Sequence, residues 1–102
     1  VPTKAQWDGV VANNTLTNVG GFYDSVTNYG AGKKFGDQLM LPAAGVWDFA
    51  NGSLRGRGDF GDYWSSTEYD NVYAYCLYLS SSGTYTYFDY RTYGFSVRCI
   101  AE

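Results

Sequence analysis

The chain has 102 residues, 45% hydrophobic, 20% aromatic and 17% charged, with a formal net charge of -3 and no His. A length of this order is one domain, expected to span 1–102 as a single ligand-binding unit forming the C-terminal part of a longer protein. The absence of a basic run beyond Lys33-Lys34 and of any long apolar run argues against a nucleic-acid partner and against direct membrane insertion.

Thr3 and Gln6 stand at capping-box spacing, and Trp7, Val10 and Val11 recur at helical intervals. This predicts a helix over 4–13 that places Trp7 in the core. Residues 15–36 are rich in Gly and Asn, and Phe22, Tyr23, Val26 and Tyr29 have the spacing of a short second helix. Residues 38–45 read as a strand stopped by Pro42, and 45–49 as a further short strand. The segment 50–62, "ANGSLRGRGDFGD", reads as a Gly- and Asp-punctuated loop, after which 63–66 return to a strand. Three successive strands are predicted over 73–79, 84–90 and 94–100. Ser80–Gly83 forms the turn between the first two, and 91–93 lead into the last.

Alternation assigns faces to these strands. Phe95, Val97 and Cys99 fall on the inward side of the last strand, with Leu77 and Leu79, and Ser96 and Arg98 on the other. In 73–79, Ala74, Leu77 and Leu79 all face inward only if an extra residue sits near Tyr75 and Cys76, which predicts a β-bulge there. Tyr73, Tyr75, Cys76 and Tyr78 then point outward. A Cys76–Cys99 disulfide would need both thiols on one face, which this phase does not give.

Residues 69–93 hold eight of the 11 tyrosines and contain no Lys, Gln, Glu, Met or Trp. Those five types supply 11 of the other 77 residues, so about three or four would be expected inside at average usage. They are the types that codons ending in a pyrimidine exclude, and every residue type present in the stretch is reachable from an Asn codon altered at its adenines. Tyr with Ser, Gly, Asn and Thr is also the chemistry of paratopes, where rigid rings supply area and small polar groups adapt their hydrogen bonds. The catalytic equipment is poor by comparison. Without His there is no Ser–His or Cys–His pair and no His-dependent zinc site, so no catalytic residue, metal or cofactor is expected. The acids of "DFGDYW", Asp59 and Asp62, read as solvated loop charges rather than calcium ligands. With no partner to split their pKa values, Asp59, Asp62 and Glu68 do not read as an acid/base pair. "RGD" at 57–59 reads as chance in a Gly-rich loop.

The ordered motifs "LPAAG" (41–45), "YWSSTE" (63–68) and "YGFSVRC" (93–99), with the opening "VPTKAQWD", resemble the Fibrobacter succinogenes major paralogous domain family. That family is similar to the C-type lectin-like variable domains of diversity-generating retroelement proteins. The resemblance implies an α+β, C-type lectin-like fold, with one or two short helices packed on a twisted antiparallel sheet. It also implies a variable binding face between "WSSTE" and "GFSVR". The chain lacks the Glu-Pro-Asn or Gln-Pro-Asp triplet of calcium-dependent sugar-binding lectins, so the fold's name does not license sugar binding.

Residues and resemblance together predict a non-enzymatic recognition domain on a bacterial cell surface or phage tail, binding a cell-surface protein or other macromolecule. The alternative is an undiversified carbohydrate-binding or structural surface domain. The candidate contact residues are Tyr69, Asp70, Asn71, Tyr73, Tyr75, Cys76, Tyr78, Ser80, Tyr85, Tyr87, Asp89, Tyr90, Thr92 and Tyr93.

Overall fold

The computed structural model describes residues 1–37, 39–48, 52–90, 93 and 95. Helix α1 (Lys4–Ala12) begins at a complete capping box: Gln6 N donates to Thr3 Oγ1 at 3.1 Å, and Thr3 N donates to Gln6 Oε1 at 2.8 Å. These bonds satisfy two of the otherwise unpaired amides at the helix N-terminus. The helix contributes one fully buried side chain, Trp7. Strands β1 (Leu16–Val19), β2 (Gly32–Phe35) and β3 (Leu39–Pro42) form an antiparallel sheet in that order. β4 (Val46–Trp47) pairs with β5 (Leu54–Arg55) as a short ribbon. The last sheet is β6 (Phe60–Glu68), β7 (Tyr73–Ser80) and β8 (Gly83–Tyr90), again antiparallel and in sequence order.

One face of the β6–β7–β8 sheet carries the core. Tyr63, Leu77 and Leu79 point to it and cluster with Trp7 of α1, with Phe35 and Leu41 of the first sheet, and with Ala31 and Ala43. The Tyr63 hydroxyl donates to Pro42 O at 2.8 Å, which ties the two sheets together where β3 ends. Gly45 then turns the chain with φ +73; a Cβ there would lie 2.4 Å from Arg55 O, so only Gly lets the β4–β5 ribbon close on itself.

The fold class differs from the α+β, C-type lectin-like expectation. The described chain is mostly antiparallel β-sheet with a single nine-residue helix, and is more β-rich than that architecture. The second helix is absent. Residues 20–31 run as irregular chain, held by the Asn28 side chain, whose Nδ2 donates to Gly21 O at 2.9 Å and Tyr23 O at 3.0 Å. Such side-chain bonds to local carbonyls compete directly with helical ones. Part of the 50–62 loop is strand, since Leu54–Arg55 pairs with β4 and Phe60 already belongs to β6. The strand expected over 94–100 lies outside the described residues, apart from Phe95.

The bulge exists but on the other strand. β7 pairs with β8 in unbroken register from Tyr73↔Tyr90 to Ser80↔Gly83. The shift falls in β6, between the pairs Trp64↔Cys76 and Glu68↔Ala74. Ser65 secures it: its hydroxyl donates to Tyr75 O at 2.8 Å and accepts from Thr67 N at 3.2 Å. Because β7 itself runs straight, it alternates strictly. Tyr73 and Tyr75 therefore share the face of Leu77 and Leu79, while Ala74, Cys76, Tyr78 and Ser80 share the other.

Candidate ligand-binding pocket

The eight tyrosines of 69–93 do not form one outward face. They divide between two places. Beyond the core, on the α1 side, Tyr69 stacks on Phe88 with centroids 4.2 Å apart and an interplanar angle of 9°. Tyr73 meets both Tyr69 and Phe88 edge-on, Tyr75 meets Tyr69, and Tyr90 tilts against Tyr73. Lys4 Nζ sits 5.3 Å from the Tyr75 ring centroid, which joins this cluster to the start of α1. Phe88, missing from the sequence candidates, is thus a full member of it.

On the opposite face lies a cavity of about 330 Å³. The sheet supplies Phe60 and Asp62 from β6, Tyr78 from β7, and Tyr87 and Asp89 from β8. Register explains the convergence, because Asp62 pairs with Tyr78 and Cys76 with Tyr87, with the other members two residues along on the same face. Val46 and Arg55 of the β4–β5 ribbon form one wall, and Tyr93 with Phe95 another. Phe60 stacks on Tyr78 at 5.8 Å, and the space for its ring depends on Gly56 (φ +80), whose added Cβ would come within 2.1 Å of it. Tyr85 lies beside Tyr78 at 5.2 Å and is 53% exposed, so it extends the aromatic surface past the cavity.

The polar floor of the cavity is Asp62, Tyr87 and Asp89. Asp62 is only 2% exposed. Tyr87 Oη lies 2.8 Å from Asp89 Oδ2 and 3.2 Å from Asp62 Oδ1. One phenolic proton cannot be donated twice. The shorter contact takes it, leaving Asp62 facing an oxygen unless Asp62 itself carries a proton to donate. Burial pushes the Asp62 carboxyl up to about 7, with the Asp89 charge adding to the rise and the Tyr87 bond and Arg55 opposing it. Burial, then the charge of Asp62, also pushes the Tyr87 phenol far above its ordinary value. Arg55 sits at the rim: its guanidinium lies 5.8 Å from the Tyr93 ring and 3.9 Å from Asp48 Oδ2.

Of the sequence candidates, Tyr78, Tyr87, Asp89 and Tyr93 line the cavity and Tyr85 borders it. Tyr69, Tyr73, Tyr75 and Tyr90 belong to the other cluster. Asp70 and Ser80 act on their own backbone: Asp70 Oδ1 accepts from Val72 N and Tyr73 N, both at 2.8 Å, and Ser80 Oγ accepts from Ser82 N at 3.4 Å. Asn71 is exposed in the turn beside Asp70. Thr92 and Cys99 lie outside the described residues.

Cys76 requires a correction. It is 0% exposed, a free thiol on the central strand between its register partners Trp64 and Tyr87, and so not an outward contact. Burial pushes its thiol well above the ordinary range. In native protein, Cys76 is expected to resist alkylation by a maleimide at neutral pH and to react fully in denaturant, as read by peptide mapping. Phe95 also changes sides, since it stacks on Trp64 at 4.3 Å and lines the cavity rather than the core. Sequence reasoning missed Asp62 as a site residue by treating it as a solvated loop charge. Its place opposite Tyr78 is set by the β6–β7 register, which the shift between Trp64 and Glu68 hides from any count along the sequence.

Residues 25–100 match the family model described as Domain of unknown function (DUF8237). The chain belongs to this family. No curated protein and no solved structure matches the chain. DUF8237 covers every cavity-lining residue of this chain, whereas α1 lies before the matched span.

Proposed function

We propose that this chain is a non-enzymatic recognition domain that binds a protein on a cell surface through its Tyr-rich sheet face. The setting would be extracellular, on a bacterial surface or a phage tail. The observation that carries the reading is the cavity on the sheet face turned away from the core, walled by Tyr78, Tyr87 and Tyr93 and bordered by exposed Tyr85. Rigid rings around a concavity bury large area at small rotamer cost. A few of them should dominate, each losing on the order of 1–3 kcal/mol of binding on truncation. The restricted alphabet of 69–93 supports a further part of the proposal, that a retroelement diversifies this stretch from Asn codons.

Flow cytometry of the labelled domain on a panel of bacterial cells tests the reading. Binding that disappears after protease treatment of the cells, and with Tyr78→Ala plus Tyr85→Ala, is the expected result. Binding that survives protease but is lost with chelator or after glycan removal would favour the carbohydrate alternative. The surrounding DNA tests diversification: a near-copy of codons 69–93 with Asn codons in place of Tyr codons, beside a reverse transcriptase gene, is expected.

A further inference from the structure

The charge and shape of the cavity narrow what its occupant can be. Phe60, Tyr78, Tyr87, Tyr93 and Phe95 line it beside Val46 and Arg55, and aromatic rings attract cations through the ring quadrupole. Its floor holds two carboxyl groups, Asp62 and Asp89, on either side of the Tyr87 hydroxyl. A buried carboxylate is costly unless a positive charge accompanies it. Arg55 answers that need poorly, because its side chain is half exposed and lies toward Asp48 and the Tyr93 ring. At about 330 Å³ the cavity lies at the small end for a ligand pocket and suits one long side chain better than a polymer segment.

From this geometry we infer that the cavity receives a single basic side chain, Lys or Arg, presented by the protein partner. The cationic head meets Asp62 and Asp89, and the methylene stem lies between Phe60, Tyr78 and Tyr87. The inference rests on the recognition reading above and supplies its anchor. Binding is coupled to a proton. The groups that face Asp62 are Tyr87 and Asp89 on β8, Tyr78 and Cys76 on β7, and Arg55 on β5; Asp62 is the carboxyl pushed up to about 7. A cation prefers the ionised carboxylate, so affinity rises with pH through neutrality and levels off above it.

The test uses Nα-acetyl-lysine methylamide as probe, titrated into the whole chain and followed by two-dimensional amide NMR. The neutral norleucine analogue and the anionic glutamate analogue are the controls. Amides of Asp62, Tyr78 and Tyr87 are expected to shift with a Kd of about 1 mM near pH 8. Affinity should fall about 30-fold by about pH 5.5, roughly one decade per unit below the Asp62 pKa. Asp62→Asn should weaken the probe at least tenfold and flatten the pH profile, and Asp89→Asn should weaken it with the profile retained. Norleucine binding as tight as lysine, preference for glutamate through Arg55, or no shift at ten times that concentration would each overturn the inference. Failure of the probe with cell binding intact removes the cation and leaves the recognition reading. Probe binding with no cell binding sustains the cation site and overturns the protein partner.

Discussion

Replacing Trp7 by Ala should lower the unfolding free energy by about 3–5 kcal/mol, the usual range for a large aromatic removed from a packed core. Trp7 is 1% exposed and is the one buried side chain that α1 contributes. Its ring lies 6.3 Å from Tyr63, and its indole Nε1 donates to Trp64 O at 3.2 Å. The variant therefore loses apolar burial, leaves a cavity against Tyr63, and removes the donor of a part-buried carbonyl. A nine-residue helix has no stability of its own, so its anchor decides whether it stays in place. For a domain of this size the loss corresponds to a fall in Tm of at least roughly 12 °C. Urea titration followed by far-UV circular dichroism measures it. Tyr85→Ala is the contrasting case: that ring is 53% exposed, and its loss should change stability by less than about 0.5 kcal/mol. Equal losses for Trp7 and Tyr85 would mean that the aromatic face is part of the core.

What could be read from the sequence was local. Thr3 and Gln6 announce a helix start because both halves of the capping box lie within four residues. Pro42 ends β3, and Ser80–Gly83 forms the hairpin turn, for equally short-range reasons. The second helix failed because the apolar spacing of Phe22 to Tyr29 is outweighed by Asn28, whose side chain captures two carbonyls. The two-sided distribution of the tyrosines depends on where a bulge falls. A phase break seen in the sequence of β7 does not tell which of two paired strands carries the extra residues. Here β6 carries them, so Tyr75 joins the α1 side and Cys76 is covered from the other. The candidate site was half legible for the same reason. Residues crowded in one segment, such as Tyr78, Tyr87 and Asp89, could be found by composition. Asp62, Arg55 and Val46 come from other strands and meet them only through register.

Asp62 should make the domain's stability fall as pH rises. Its carboxyl titrates at about 7 in the folded protein against 3.8 ordinarily, so between those values the native state holds a proton that the unfolded chain has released. Stability thus declines with pH across this window, by about 4 kcal/mol in total, and changes no further from this group above about pH 8. Asn at this position keeps the shape, has no charge to bury, and offers an amide that donates to the Tyr87 oxygen while Tyr87 donates to Asp89. Asp62→Asn should therefore match the parent protein below about pH 4 and exceed its stability by about 4 kcal/mol above about pH 8. Urea midpoints across a pH series measure the difference, and a gap that stays constant with pH would refute the assignment. Such a variant would fold better while losing the charge that the cavity offers a cation. A residue kept at a stability cost, on the face turned from the core, fits binding better than it fits folding.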